Sequence, residues 1–316
     1  MTRRGWALFV AMSLIWGIPY LLIKVSVGEV SPVVVVFVRC GVGAVLLLPW
    51  TVARGHLLPA LRHWRALLLF TVLEMAVPWV LLSYAERSLT SSLTGLLVAT
   101  VPFVAAVAAR VAGDEDRLTL TRLGGMALGV VGIVALLGLD VGGAQRLAIA
   151  AVAVVVVCYA TGPLVVSHAL QQVPGVAASS LALLATALVY APLAVPRLGE
   201  VAAASGHARA SLLVLGMVCT ALALALFFAL IREAGSQRAL VITFVNPAVA
   251  VVLGVVLLGE PFTRGLAVGL PLVLAGCVLA TGRSARPSSG HGAGPRPGRS
   301  AGEADPEELP IATPRP

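Results

Sequence analysis

RALLLFTVLEMAVPWVLLSY, residues 65–84, is the stretch that decides how the rest of the chain is read. A helix rises ~1.5 Å per residue, so these residues are just long enough to cross the hydrocarbon core of a bilayer. Its acid, Glu74, falls ~14 Å from the nearer end, close to the midplane. An ionised carboxylate at that depth costs at least ~2.5 kcal/mol, so such residues face a protein interior and mark ion or substrate paths.

The composition extends this reading to the whole chain. Of 316 residues, 59% are hydrophobic and 11% charged, and the mean hydropathy is +0.99. A soluble domain is closer to a quarter charged. Apolar runs separated by short polar breaks predict ten spans, at 5–25, 32–52, 65–84, 91–111, 122–139, 147–168, 176–195, 210–231, 239–258 and 265–281. The fold class is therefore an all-α polytopic membrane protein. The net charge of +8 does not point to nucleic acid, because the basic residues lie at span ends and in the tail. Arg3 and Arg4 precede an apolar run, as in a signal peptide. No small-residue cleavage site follows, and the run reads as the first span.

Lys and Arg set the orientation. With the N-terminus inside, Arg3, Arg4, Arg54, Arg62, Arg65, Arg110, Arg117, Arg122, Arg232 and Arg238 fall on the cytoplasmic side. Fewer fall outside, namely Arg87, Arg146, Arg197, Arg209 and Arg264. Both termini are expected in the cytoplasm of a plasma-membrane protein. Residues 283–316, rich in Pro, Gly, Ser and charge, read as a disordered cytoplasmic tail. Cys40, Cys158, Cys219 and Cys277 each fall inside a span at no metal-ligand spacing, so neither metal nor disulfide is expected.

The two halves align at an offset of 144 residues. Pro19 meets Pro163, Lys24 meets His168, Arg65 meets Arg209, Gly125 meets Gly269 and Gly132 meets Gly276. One inserted residue then aligns Pro102 with Pro247 and Glu115 with Glu260. Each repeat, 5–139 and 147–281, holds five spans. An odd number makes the second copy enter from the opposite side, the inverted arrangement of many secondary transporters. The alternative is an old duplication kept for stability alone.

These residues resemble the EamA family of the drug/metabolite transporter superfamily. The resemblance is carried by SLIWGIPYLLIK at 13–24, FVRCGVGAVLLLP at 37–49, SYAERSLTSSLTGLLVATVPF at 83–103, GDEDRLT at 113–119 and FVNPAVAVVLGVVLLGEPFT at 244–263. It implies ten helices, inverted five-helix repeats, and export or exchange of small metabolites without a cofactor. The second copy departs from the first in lacking counterparts of Arg39 and Glu74.

Several residues are candidates for the substrate or proton path. Glu74 could trade a proton for a cationic or polar substrate, or simply hydrogen-bond a neighbouring helix. Arg39 keeps its charge, and either pairs with Glu74 or an anionic substrate or snorkels outward. Trp16, Tyr20 and Lys24 share one face of the first span. Trp16 and Tyr20 are read as cavity wall, and Lys24 as an interfacial residue or outer gate. Pro102 and Pro247 are candidate kinks, each depriving a carbonyl, Val98 or Thr243, of its helical donor. Asn246 adds an amide at that depth. Glu115 and Glu260 are acids at helix starts or members of opposing gates. GxxxG patterns at 125–129 and 265–269 suit close packing, either between the halves or in a homodimer. The expected partners are a small-molecule substrate, lipid and protons. No enzyme motif is present. Competing readings are a non-transporting membrane receptor or interaction protein and, further off, an intramembrane enzyme.

Overall fold

A computed structural model describes residues 2–111, 119–137, 143–235, 239 and 241–281. Helix is the only regular structure among them. We number the rods α1 (Arg3–Val27), α2 (Pro32–Ala53), α3 (Trp64–Ala85), α4 (Ser91–Val98 with Val101–Val111), α5 (Leu120–Leu137), α6 (Gly143–Ala169), α7 (Gly175–Ala194), α8 (Gly206–Ala234), α9 (Ile242–Leu258) and α10 (Arg264–Thr281). Seven of these, α1–α4 and α6–α8, contain stretches long and apolar enough to cross a membrane, and α5, α9 and α10 contain shorter apolar helices. The protein is thus a polytopic membrane protein. Glu115 and the tail 283–316 lie outside the described residues.

The helix starts are written locally. Thr2, Thr90 and Ser205 accept hydrogen bonds from the N–H groups of Gly5, Leu93 and Ala208, each satisfying a donor the helix cannot. Pro32 opens α2, where its missing N–H does no harm. Gly259 ends α9 in the left-handed region at φ 66°, a conformation glycine adopts without strain.

The rods are not all continuous. α1 is interrupted over residues 16–18, just before Pro19, and α4 over residues 99–100, just before Pro102. α9 runs unbroken through Pro247. Two rods contain a wider π-turn, Val72–Ala76 in α3 and Met217–Leu222 in α8. Such turns leave carbonyls off the regular ladder and recur at functional sites.

Packing interleaves the two halves. α5 lies along α10, α2 along α7, α4 along α9, α3 along α6 and α1 along α8. The α5–α10 seam is made by glycine. A side chain on Gly265 or Gly276 would overlap the backbone of Ala135 or of Gly125 and Gly129, and one on Gly132 would overlap Val273. Both GxxxG faces are therefore taken up within the chain, joining its halves. Side chains such as Val45, Val189 and Val256 remain exposed on the outer faces, as expected of helices apolar all round and sheathed in lipid.

Candidate functional site

Arg39 lies in the middle of α2 and is only 7% exposed. It does not snorkel. Its guanidinium carbon stands 3.7 Å from the centre of the Trp79 ring of α3, and its Nε donates to Thr220 Oγ1 of α8 at 2.9 Å. Thr220 sits on the π-turn and donates in turn to the Leu215 carbonyl at 2.8 Å. A planar cation buried against an indole, with one donor fixed by a hydroxyl, is held by geometry that lysine could not reproduce. Tyr159 of α6 and Tyr20 of α1 are within electrostatic reach of the same guanidinium.

Glu74 occupies the other π-turn. Its carboxyl rests against Gly162 of α6, where any Cβ would overlap it, with Cys158 and Tyr159 close by. It turns inward to a helix, as a midplane acid should. It does not pair with Arg39, whose contacts are Thr220 and Trp79. Tyr159 is within electrostatic reach of both charges.

The remaining candidates are distributed along the bundle. Trp16 stacks on Phe227 of α8 with ring centres 4.7 Å apart, at the break in α1. The Asn246 amide nitrogen donates to the carbonyls of Ser13, at 3.1 Å, and Ile242, at 2.9 Å, tying α9 to α1. Thr243 sits one turn earlier on α9, facing partly buried surroundings. Lys24 is tied down within the protein. Its Nζ donates to the carbonyls of Glu86 at 2.6 Å and Leu89 at 2.8 Å, a cation on the carboxyl end of α3. Glu260 caps a helix other than the one it precedes. Its carboxylate accepts the N–H groups of Ser91, at 2.6 Å, and Ser92, at 3.0 Å, at the start of α4, together with the Ser92 hydroxyl.

Two further clasps were invisible to sequence reasoning. Glu29, after α1, accepts the N–H and hydroxyl of Ser205 at the start of α8, at 2.6 and 2.7 Å. Glu200, before α8, accepts the N–H of Ser31 at the start of α2 at 2.7 Å. Each acid serves a helix of the opposite half. The Ser205 backbone N–H holds Glu29 below the usual carboxylate range, and that of Ser31 does the same for Glu200. With Lys24 and Glu260, these contacts tie together one end of the molecule, formed by the α1–α2, α3–α4, α7–α8 and α9–α10 connections. Two apolar furrows, of about 540 and 400 Å³, run along α2 beside Val45 and Pro49 and beside Val42 and Met217. Both are lined by apolar side chains and lie apart from Glu74 and Trp79.

A bundle of apolar helices with charges buried between them fits a membrane transporter, and the comparisons with known proteins identify it as one. A profile of the EamA-like transporter family matches residues 3–138 and again 146–282, and the chain belongs to that family. Relatives in Escherichia coli K12 and O157:H7, each described as the uncharacterized inner membrane transporter YedA, are 30% identical over 285 residues, covering 87% of this chain and 89% of theirs. A crystal structure described only as that of a protein shares the fold with a TM-score of 0.63 at 19% identity, over 88% of this chain and 96% of the other.

Proposed function

We propose that the chain is a secondary transporter that exports or exchanges small organic metabolites by alternating access. In this reading ten spans form two inverted five-helix repeats, both termini are cytoplasmic, and the clasped end faces outward. The observation that carries it is the pair of π-turns. Val72 and Met217, where they begin, stand at the offset that aligns Pro102 with Pro247. One carries Glu74 and the other carries Thr220, the partner of Arg39; at that offset Glu74 falls on Cys219, so the turns match between the halves while the polar residues sit one position apart. The helix pairing supports the same exchange of halves, since α3 packs on α6 as α8 packs on α1. Inverted repeats of this kind supply two related access states around a midplane site.

Glu74 is the proton-coupling residue in this scheme. The test is flux in proteoliposomes with an imposed pH gradient, using substrates found by a thermal-shift screen of amino acids, amines and sugars. Glu74→Gln should abolish the dependence of flux on the gradient. If rate and pH dependence both survive, Glu74 does not couple. If no compound is moved by wild-type protein that binds it, the transport reading falls.

A further inference from the structure

The reading above leaves one carboxyl without a task. Glu86 lies one residue beyond the end of α3 and is 0% exposed, and neither carboxyl oxygen has a hydrogen-bond partner. Charged and titratable groups face it from every side. Lys24 and Tyr20 come from α1, Arg39 from α2 and Glu260 from the α9–α10 connection. Both cations are directed elsewhere. The Lys24 ammonium is held by the carbonyls of Glu86 and Leu89, and Arg39 by Thr220 and Trp79. Glu260 is a like charge within electrostatic reach, and it is committed to the start of α4. The Ser91 hydroxyl at that helix start is likewise buried without a partner.

A carboxylate buried without a partner is strongly unfavourable, whereas a neutral carboxylic acid is tolerated far better. Burial pushes the Glu86 carboxyl well above the usual range; the Lys24 ammonium, Arg39 and, least, the Lys24 backbone N–H oppose that shift, while Glu260 reinforces it. The clasp and the acid are thus linked. Parting α1 from α3 would free Lys24 from its carbonyls, admit water, and let the same ammonium pair with the carboxylate.

We propose that Glu86 is a proton-binding site of the clasped end: it holds a proton while Lys24, Glu260 and the start of α4 are packed over it, and releases that proton to water when they separate. The proposal takes its role in a cycle from the transporter reading, with the proton leaving to the outer aqueous side, but the protonation itself can be tested without any substrate.

Infrared spectra of the full-length protein in lipid nanodiscs, recorded while pH is stepped from acid to alkaline, read the carbonyl band of protonated carboxyls directly. The Glu74→Gln background removes that residue's own contribution. A neutral-pH carboxyl band should be present there and lost on adding Glu86→Gln, while Glu86→Asp should keep the band at a shifted position. If the band is unchanged by Glu86→Gln, Glu86 is ionised and the proposal is overturned. Hydrogen exchange of residues 86–92 gives the second readout. After correction for the intrinsic rate, exchange should rise with pH in the wild type and stay flat in Glu86→Gln. A flat wild-type profile overturns the link to closure. Absence of flux with these results intact would refute the transporter reading and leave the proton site standing.

Discussion

The contact of Arg39 with Trp79 and Thr220 lends itself to a double-mutant cycle. A desolvated cation over an indole contributes about 2 kcal/mol, and a hydrogen bond to a charged group about 1.5–3 kcal/mol. Arg39 is almost fully buried and its guanidinium sits 3.7 Å from the ring centre, so both figures belong at their desolvated values. Removing one partner leaves a buried charge uncompensated, whereas removing the charge as well relieves its burial cost. Thr220→Val and Trp79→Leu should therefore each destabilise by roughly 2–3 kcal/mol in the presence of Arg39 and by clearly less in an Arg39→Met background. The loss of the Thr220 bond to Leu215 occurs in both backgrounds and cancels. The assay is SDS-driven unfolding of purified protein in mixed micelles, giving a coupling energy of about 1.5–3 kcal/mol for each pair. Additivity within about 0.5 kcal/mol would mean that neither group holds the arginine, and the reasoning would be wrong.

Gly276→Leu should drive a side chain into the backbone of α5 and cost about 1–3 kcal/mol or more, measurable in the same unfolding assay, while Val256→Leu on the exposed face of α9 should be nearly silent. Lys24→Met removes the cation from the Glu86 and Leu89 carbonyls, so hydrogen exchange should increase over the last turn of α3; unchanged protection there would deny Lys24 its capping role. The Glu29 and Glu200 clasps should respond to acid in a definite direction. Their folded pKa values lie below the ordinary 4.5, so their contribution is complete above that value and is lost as pH falls through the lowered ones. Exchange at the amides of Ser205 and Ser31 should speed up only as pH falls below the ordinary carboxylate range, beyond the intrinsic trend, and the Glu→Gln variants should lack that step.

The helices were legible because a bilayer fixes their length and an apolar run announces them. The expected third span, 65–84, differs from the observed Trp64–Ala85 by one residue at each end. The place of Glu74 near the centre of that rod followed from the same arithmetic. The sequence could not show what each charge touches. Thr220 lies 181 residues from Arg39, and nothing local to either names the other. The π-turns left no trace in the apolar run: each half carries one, so an extra residue in both leaves the register between the repeats unchanged. Lys24 was read as interfacial or an outer gate because lysines at span ends commonly are, and nothing local named the carbonyls of Glu86 and Leu89, in the α3–α4 connection, as its partners. Nothing in the sequence around Glu86 sets it apart from other charges near span ends. Its significance comes from what covers it, which is a matter of tertiary packing alone.

The glycine seam between α5 and α10 has a mechanical consequence. Where two backbones meet this closely, with side chains such as Val273 and Leu136 seated on the glycines, there is little room for rotamers to rearrange, and any sliding forfeits contact along the whole length. This pair should act as a fixed axle. Displacement then falls to the rods with irregular turns, α1 and α4 at their interruptions and α3 and α8 at their wide turns. A disulfide engineered across the axle should leave flux untouched, whereas one locking α1 to α8 should stop it.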